Sequence, residues 1–388
     1  MICGTSVLGI GVLMALPAAL PASAAAAHPA PASARHLKAL YDVGVHPGIT
    51  AAQARASALA GTTVPEYTAT VKVGAKSFKY TIVGKNPAIK VANASTTVNA
   101  EIVPLIMKFS NGDTWDPTKI DSCDPGASAL TRVQKSPIVV AQAHSFGGTS
   151  VGNVQVTNAF QRAEFWKDAK STGINPTYGV KLAFKTLAPV TINVPAAQRT
   201  AFSIGCGNGL LGAANINWLD PFLQNTVIPS LASQGVGTTT FPIFVLHNFV
   251  EYIGNAGQCC VLGYHNTYNV GGGAQTYGLA MYDNSGAFAG SSDISAMSHE
   301  VAEWQNDPNT VNPTPSWGHT GQVSGCQNNL EVGDPLSGTT FSDTLNGFTY
   351  NPQELAFFSW FYHQSPSLGV NGWYSDQGTF RTFAANCT

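Results

Sequence analysis

Charge is what this 388-residue chain lacks. Lys, Arg, Asp and Glu make up 10% of it, against about a quarter in an ordinary soluble domain. The formal net charge is −2, so no basic field exists to attract a phosphate backbone, and nucleic acid is excluded as a partner. There is no internal repeat, no run of like charges and no C-x-x-C pair. A G-x-S-x-G elbow, a phosphate loop and a dinucleotide fingerprint are also missing, which removes the commonest serine-hydrolase and nucleotide chemistries. What is present is an apolar fraction of 44%, enough for a real core, with Gly, Ser, Thr and Asn doing the solvation. Glutamate is scarce: there are eight, and three of them fall at 300, 303 and 331. In so uncharged a chain that clustering points to a site.

Residues 1–27 read as a secretory signal. Val7 to Leu20 is apolar, broken by Pro17, and Ala22, Ser23 and Ala24 suit cleavage. The run is shorter than the roughly 20 residues a membrane span needs, so export is expected and no span in the mature chain. Removing the signal leaves Cys123, Cys206, Cys259, Cys260, Cys326 and Cys387. An even number in an exported chain reads as disulfides, with the pairing left open.

Residues 28–96 read as an N-terminal linker or pro-like segment, with helix-like content from Ala51 to Ala60. Tyr67–Val73 and Ser77–Val83 alternate around Gly74 and suggest a hairpin, with Lys72, Lys76, Lys79 and Lys85 on a solvated face. The main domain spans 97–388. Strands are expected at Glu101–Phe109, Ser136–Ala143, within Val180–Val194, at Phe241–Val250, Cys260–Tyr264 and Tyr277–Tyr282. Helices are expected at Asn158–Ala169, with Arg162, Glu164, Lys167 and Asp168 facing solvent, and at Pro221–Ala232. Pro313–Gly321 reads as loop and Pro352–Gln364 as a buried helix. The fold class is α+β: a mixed sheet, an active-site helix after its strands, and a C-terminal irregular subdomain held by disulfides.

The sharpest signal is Asp293 to Pro308. Asp293 can cap a helix and Pro308 ends it. Ile294, Met297, Val301 and Trp304 make one apolar stripe. His299 and Glu303, four apart, share the opposite face. This is the geometry of the metallopeptidase motif H-E-x-x-H, in which two helix ligands hold zinc and the intervening Glu is the base. Here Glu303 replaces the second His. A carboxylate can still bind zinc, but it cancels part of the ion's charge and weakens it as a Lewis acid.

Further on, Glu331 and Asp334 meet at a turn around Gly333. Glu331 is expected as the third metal ligand and Asp334 behind the ligands, orienting His299. The histidines at 144, 247 and 363 have no motif around them and read as structural. His319 is the reserve ligand, because its loop lies between the helix and Glu331.

Gly263-Tyr-His, Ser298-His-Glu-Val-Ala-Glu, Asn306-Asp-Pro, Trp317 and Glu331-Val-Gly-Asp, in that order, resemble the EXORDIUM or phosphate-induced protein family. That family has extracellular plant members associated with cell growth and the cell wall, and exported bacterial relatives. The resemblance covers about residues 260–388 and implies a zincin-like site. It marks His265, His299, Glu300, Glu303, Glu331 and Asp334. One departure is that Pro335 and Leu336 follow Asp334 where the family has a Cys two residues on, so no disulfide pairing is carried over.

The resulting expectation is an exported metalloprotein. His299, Glu303 and Glu331 would hold one divalent ion, zinc before calcium or manganese. Glu300 would be the base, and His265 a fourth ligand or a group stabilising charge on a bound carbonyl. The function expected is a metal-dependent hydrolase acting on protein or peptide. The alternative is a non-catalytic protein of the cell wall with a structural metal or a polar cluster.

Overall fold

The computed structural model describes residues 32–33, 37–41, 64–171, 173, 175–271, 273–383 and 387. The expected signal, residues 1–27, and the helix-like stretch 51–60 lie outside them.

A sheet of 12 strands, mixed and curled into a half-barrel, organises the molecule. Across its centre run Leu210–Asn215, Phe249–Tyr252, Cys259–Asn269, Ala274–Tyr282, Thr240–His247 and Ser95–Phe109, in that spatial order. Thr240–His247 lies parallel to both of its neighbours, while Cys259–Asn269 is antiparallel to Phe249–Tyr252 and to Ala274–Tyr282. All eight residues of Thr240–His247 are buried. A central parallel strand is covered on both faces, which is why its sequence is apolar nearly throughout.

The helix Ser295–Asn306 packs over the strands that carry His265 and Thr276. Its apolar stripe faces the sheet: Trp304 stacks on Phe241 with ring centroids 3.8 Å apart, and its indole N–H donates to Thr276 Oγ1 at 3.0 Å. The opposite face is covered as well. Trp317, Leu330, Val332, Phe357, Trp360 and Phe361 belong to a second apolar core that also takes in Ala302 of this helix. Lying between two cores, the helix is buried along its whole length.

Several elements depart from the sequence pattern for identifiable reasons. Asp293 does not cap the helix. It sits at φ 41°, the helix starts at Ser295 without a side-chain cap, and the Asp293 carboxylate serves Ile294 N and the Asn351 amides instead. Of the strand expected at Ser136–Ala143 only the end is present, where Gln142–Phe146 pairs with Thr149–Val154. Ser128 caps a helix at Ala129–Lys135, and Val139 and Val140 N–H groups turn back to the Ser136 carbonyl. The helix expected at Asn158–Ala169 runs Val156–Glu164 and is followed by a π-helical turn at Lys167–Ser171, and Glu164 is buried rather than solvated, accepting from Phe358 N at 3.3 Å. Helical structure expected from Pro221 begins at Ile216, capped by Asn215. Phe241–Val250 is two strands, broken at Asn248 with φ 48°. Pro313–Thr320 is a strand paired with Val323–Asn329, not a loop.

The largest departure is Pro352–Gln364, which is helical only at Phe358–Phe361. Its backbone N–H groups go elsewhere: Gln353 to Ser298 Oγ, Glu354 to the Thr339 carbonyl, Leu355 to Asp376 Oδ1 and Ala356 to the Val332 carbonyl. With those partners taken the segment stays extended. The hairpin is present as Glu66–Val73 and Lys76–Val83, its lysines exposed, and it is fastened near the site helix by Thr81 N donating to Asn312 Oδ1 at 2.8 Å.

Three disulfides join Cys123 to Cys206, Cys259 to its neighbour Cys260, and Cys326 to Cys387. The last ties the irregular C-terminal region back to the strand Val323–Asn329. No helix of the described residues is long and apolar enough to cross a membrane. Cys123 and Cys206 are 83 residues apart, and opening a loop of that length costs about 3–5 kcal/mol. Replacing both by Ser is expected to lower unfolding stability by that amount in denaturant titrations. A loss below about 1 kcal/mol would mean that the bridge does not constrain the unfolded chain.

Candidate metal centre

Two histidines and five carboxyl groups meet between the site helix, the strand Cys259–Asn269 and the turn at Gly333. His265, His299, Glu300, Glu303, Asp307, Glu331 and Asp334 are each 0–3% exposed. Their arrangement begins with hydrogen bonds made behind the imidazoles.

His299 Nδ1 lies 3.1 Å from Gln353 Oε1. The Gln353 amide nitrogen donates to the Gly333 carbonyl at 2.6 Å, which fixes the oxygen toward the ring. Nδ1 must therefore carry the proton, and in the neutral ring Nε2 is left with a lone pair. That lone pair points at acid: Glu303 Oε1 is 3.0 Å away and Asp334 Oδ1 3.6 Å. In the charged ring Nε2 carries a proton toward Glu303, and in the neutral ring its lone pair faces the same oxygen. Donors about 2.0–2.1 Å from a tetrahedral ion stand roughly 3.3–3.4 Å apart, and the two observed separations bracket this. The ligand atoms of His299, Glu303 and Asp334 all lie within 4.8 Å of one another.

His265 repeats the device. Its Nε2 is 3.1 Å from the Asp307 carbonyl, which can only accept. Nδ1 therefore faces Glu300 Oε2 at 3.5 Å and Glu303 Oε2 at 3.7 Å. His265, Glu300 and Glu303 form a second group within 4.8 Å.

Two glycines permit these approaches. A Cβ on Gly333 would stand 2.4 Å from His299 Nδ1, and one on Gly263 would stand 2.8 Å from Glu300 Cγ. Gly333 has an ordinary φ of −85°, so it is needed for space and not for a turn conformation. Its N–H donates to Glu303 Oε1 at 3.0 Å, which fixes that carboxylate.

The placement of the expected residues differs from their sequence assignment in two ways. Asp334 stands at ligand distance from His299, while Gln353 does the orienting. Glu331 is buried beside the cluster, and its Oε1 accepts from Asn329 at 2.9 Å, but it belongs to neither ligand-distance group of the described residues. His319, the reserve ligand, is exposed beside the Cys326–Cys387 disulfide, 3.6 Å from Cys326 Sγ. Sequence reading missed Gln353 because it places that residue on a helix, and missed Tyr41 because nothing around it resembles a site.

Tyr41 closes the centre from outside. Its ring stacks on His299 with centroids 3.9 Å apart and 13° between planes. Its main chain pairs with the side chain of Gln322, through Tyr41 N to Oε1 at 2.7 Å and Nε2 to Tyr41 O at 2.8 Å. Gln322 also donates to Asp334 Oδ1 at 2.5 Å. On the outer side Tyr41 lines a pocket of about 380 Å³ with Leu40, Val261 and Gln322.

Burial and crowding set the protonation. Burial, then Glu303, pushes Asp334 up to about 8. Burial, with Glu303 adding to it, pushes Asp307 up to about 7 against the hydrogen bonds from Asn312 and Val311. Glu331 is held well above the usual carboxylate range by burial and by Glu303. For His299, burial opposes the charged form, but Glu303 outweighs it and the net direction is up. Burial would raise Glu303, yet His299 prevails and holds it down.

These directions fix a pH dependence for the metal-free fold. Carboxyls raised above their unfolded values bind protons that the unfolded chain has released. Stability therefore falls as pH rises from about 4 to about 8. His299 acts in the same sense, since its contribution is lost as pH rises through its raised value; Glu303 acts oppositely, but only in the acid range. The metal-free protein should lose several degrees of Tm between about pH 5 and pH 8, and a divalent metal should abolish the loss by displacing the protons. A Tm independent of pH in that interval would show that the cluster does not hold them.

No family model, curated protein or solved structure matches this chain.

Proposed function

We propose that this protein is an exported metal-dependent hydrolase acting on peptide bonds, with one divalent transition metal between His299, Glu303 and Asp334. The observation that carries this is the geometry at His299: Gln353 holds Nδ1, and Nε2 faces Glu303 at 3.0 Å and Asp334 at 3.6 Å, all within ligand distance of one another. One imidazole and two carboxylates suit zinc, with manganese as the harder alternative. When bound, such an ion supplies positive charge that polarises a carbonyl and makes a water a better nucleophile.

The chain's own residues do the rest. Glu300 follows His299 on the helix, and its carboxylate lies against His265. It takes the proton of the attacking water and returns it to the leaving amine. His265, held by the Asp307 carbonyl, steadies Glu300. Gln353 and Gly333 keep His299 and Glu303 in place. Tyr41 and Gln322 exclude water until the pocket opens. Three disulfides fit an oxidising compartment, and with the expected signal they support export. The same motifs support placement in the EXORDIUM family.

Full burial favours a second reading, in which the ion is structural and nothing is hydrolysed. The two readings separate on Glu300→Gln. In the hydrolase it lowers kcat/KM on a peptide library by about 10²–10⁴-fold, while the protein still holds metal between His299, Glu303 and Asp334. A wild-type protein that binds metal, loses many degrees of Tm on chelation and cleaves no peptide would overturn the hydrolase and leave the structural ion.

Opening has its own test. Tyr41→Ala is expected to raise the rate at which diethyl pyrocarbonate acylates His299, followed by peptide mass mapping, by tenfold or more. Unchanged protection in a folded variant would show that another group covers the imidazole.

A further inference from the structure

We infer that the centre holds two divalent cations, with the second between His265, Glu300 and Glu303 and the carboxylate of Glu303 shared between both positions. The inference rests on the reading of His299, Glu303 and Asp334 as a metal site and extends it by a position which that reading does not use.

The argument starts at the strand. His265 is held by a backbone carbonyl behind it: Nε2 donates to Asp307 O at 3.1 Å. A carbonyl cannot donate, so the ring cannot turn its proton the other way without losing this bond. Nδ1 is thereby committed to the side where Glu300 Oε2 and Glu303 Oε2 lie, at 3.5 and 3.7 Å. Both separations are close to the roughly 3.3–3.4 Å edge between two donors on a tetrahedral ion. The three donors come from rigid elements. His265 is on a central strand of the sheet, paired with Gly278, and Glu300 and Glu303 are on the helix packed over it. Gly263, two residues before His265 on the same face, leaves the space Glu300 occupies.

The second element is Glu303 itself. Its Oε1 stands 3.0 Å from His299 Nε2, and its Oε2 faces His265 Nδ1. One carboxylate thus presents a different oxygen to each imidazole. Two ligand-distance groups that share a single residue, each with one histidine nitrogen and one further carboxylate, are the donor set of a carboxylate-bridged pair of ions. Such a pair would supply charge both to an attacking water and to the carbonyl oxygen of a peptide bond. Glu300 would bind through Oε2 and keep Oε1 as its proton acceptor. The ligand class is a divalent transition metal with nitrogen and oxygen preference, such as zinc or manganese.

The test is metal counting on the full chain, loaded with Zn²⁺ alone and dialysed. Wild type should hold two equivalents. His265→Ala and His299→Ala should each hold one, and Glu303→Gln should weaken both positions by tenfold or more. Should His265→Ala fail to fold, Glu300→Gln serves instead and should weaken only the second position. Loaded with Mn²⁺, wild type should give the electron paramagnetic resonance of a spin-coupled pair and each single histidine variant that of an isolated ion. One equivalent in wild type, kept in His265→Ala and lost in His299→Ala, overturns the second position and leaves the single-ion reading standing. No metal in wild type overturns both, and would mean that protons on the imidazoles balance the carboxylates.

Discussion

Two carbonyl oxygens standing behind two imidazoles determine what this centre can be. Gln353 Oε1 takes the N–H of His299 and Asp307 O takes that of His265. Each ring is left facing carboxylates with its other nitrogen, at 3.0–3.7 Å. An imidazole and several carboxyl groups crowded together in a buried site are costly unless protons or a cation balance the charge. The backbone arrangement around the site serves to hold this unfavourable contact. Pro352 to Phe357 stays extended because its N–H groups are used by five separate partners, and that extension is what aims Gln353. Gly333 has no Cβ, and only so can the turn press against His299. The helix ends at Asn306, so the carbonyl of Asp307 is free of helical bonding and available to His265.

The centre survives folding because it is enclosed from every side. The helix carrying His299, Glu300 and Glu303 lies between the core of the sheet and a second core built from Trp317, Trp360 and Phe361. Aromatic contacts on one side and the Phe241–Trp304 stack on the other supply rigid apolar burial, which offsets the polar groups between them. Without a cation, the fold meets the remaining cost by keeping protons on Asp307, Glu331, Asp334 and His299. A metal bound there would displace those protons, so metal and protons would be alternatives for the same cluster.

How much was legible in the sequence follows from how local each signal is. The helix with His299 and Glu303 could be read because helical spacing alone puts residues four apart on one face. The strands around 101–109, 241–250 and 277–282 could be read because buried central strands are continuous apolar runs. The Glu66–Val83 hairpin could be read from alternation around a glycine. What failed was non-local. Pro352–Gln364 has the composition of a buried helix, and it is extended only because partners from Ser298, Thr339, Val332 and Asp376 reach it. Glu164 looks like a solvated helix residue and is buried by Phe358, 194 positions away. Which of Glu331 and Asp334 stands nearer His299 depends on which way the turn at Gly333 faces, and spacing does not hold that. Tyr41, from a segment that reads as dispensable, covers His299 only because the chain returns to the edge of the strand Cys259–Asn269.

The glutamate at 303 is where a histidine would stand in the familiar two-histidine helix motif, and at first it looks like a defect. A histidine offers one nitrogen to a cleft, whereas a carboxylate offers two oxygens in different directions. Only the second can face His299 and His265 together. The substitution also changes the electrostatics. A single ion held by Glu303 and Asp334 is neutralised by them and is a poor Lewis acid. Two ions set against Glu300, Glu303 and Asp334 keep a positive charge, because the shared carboxylate is counted once. On this argument the carboxylate at 303 and the histidine at 265 belong together. His265 on the strand gives Glu303 its second partner, and Gly263, two residues earlier, leaves room for Glu300 to complete the set.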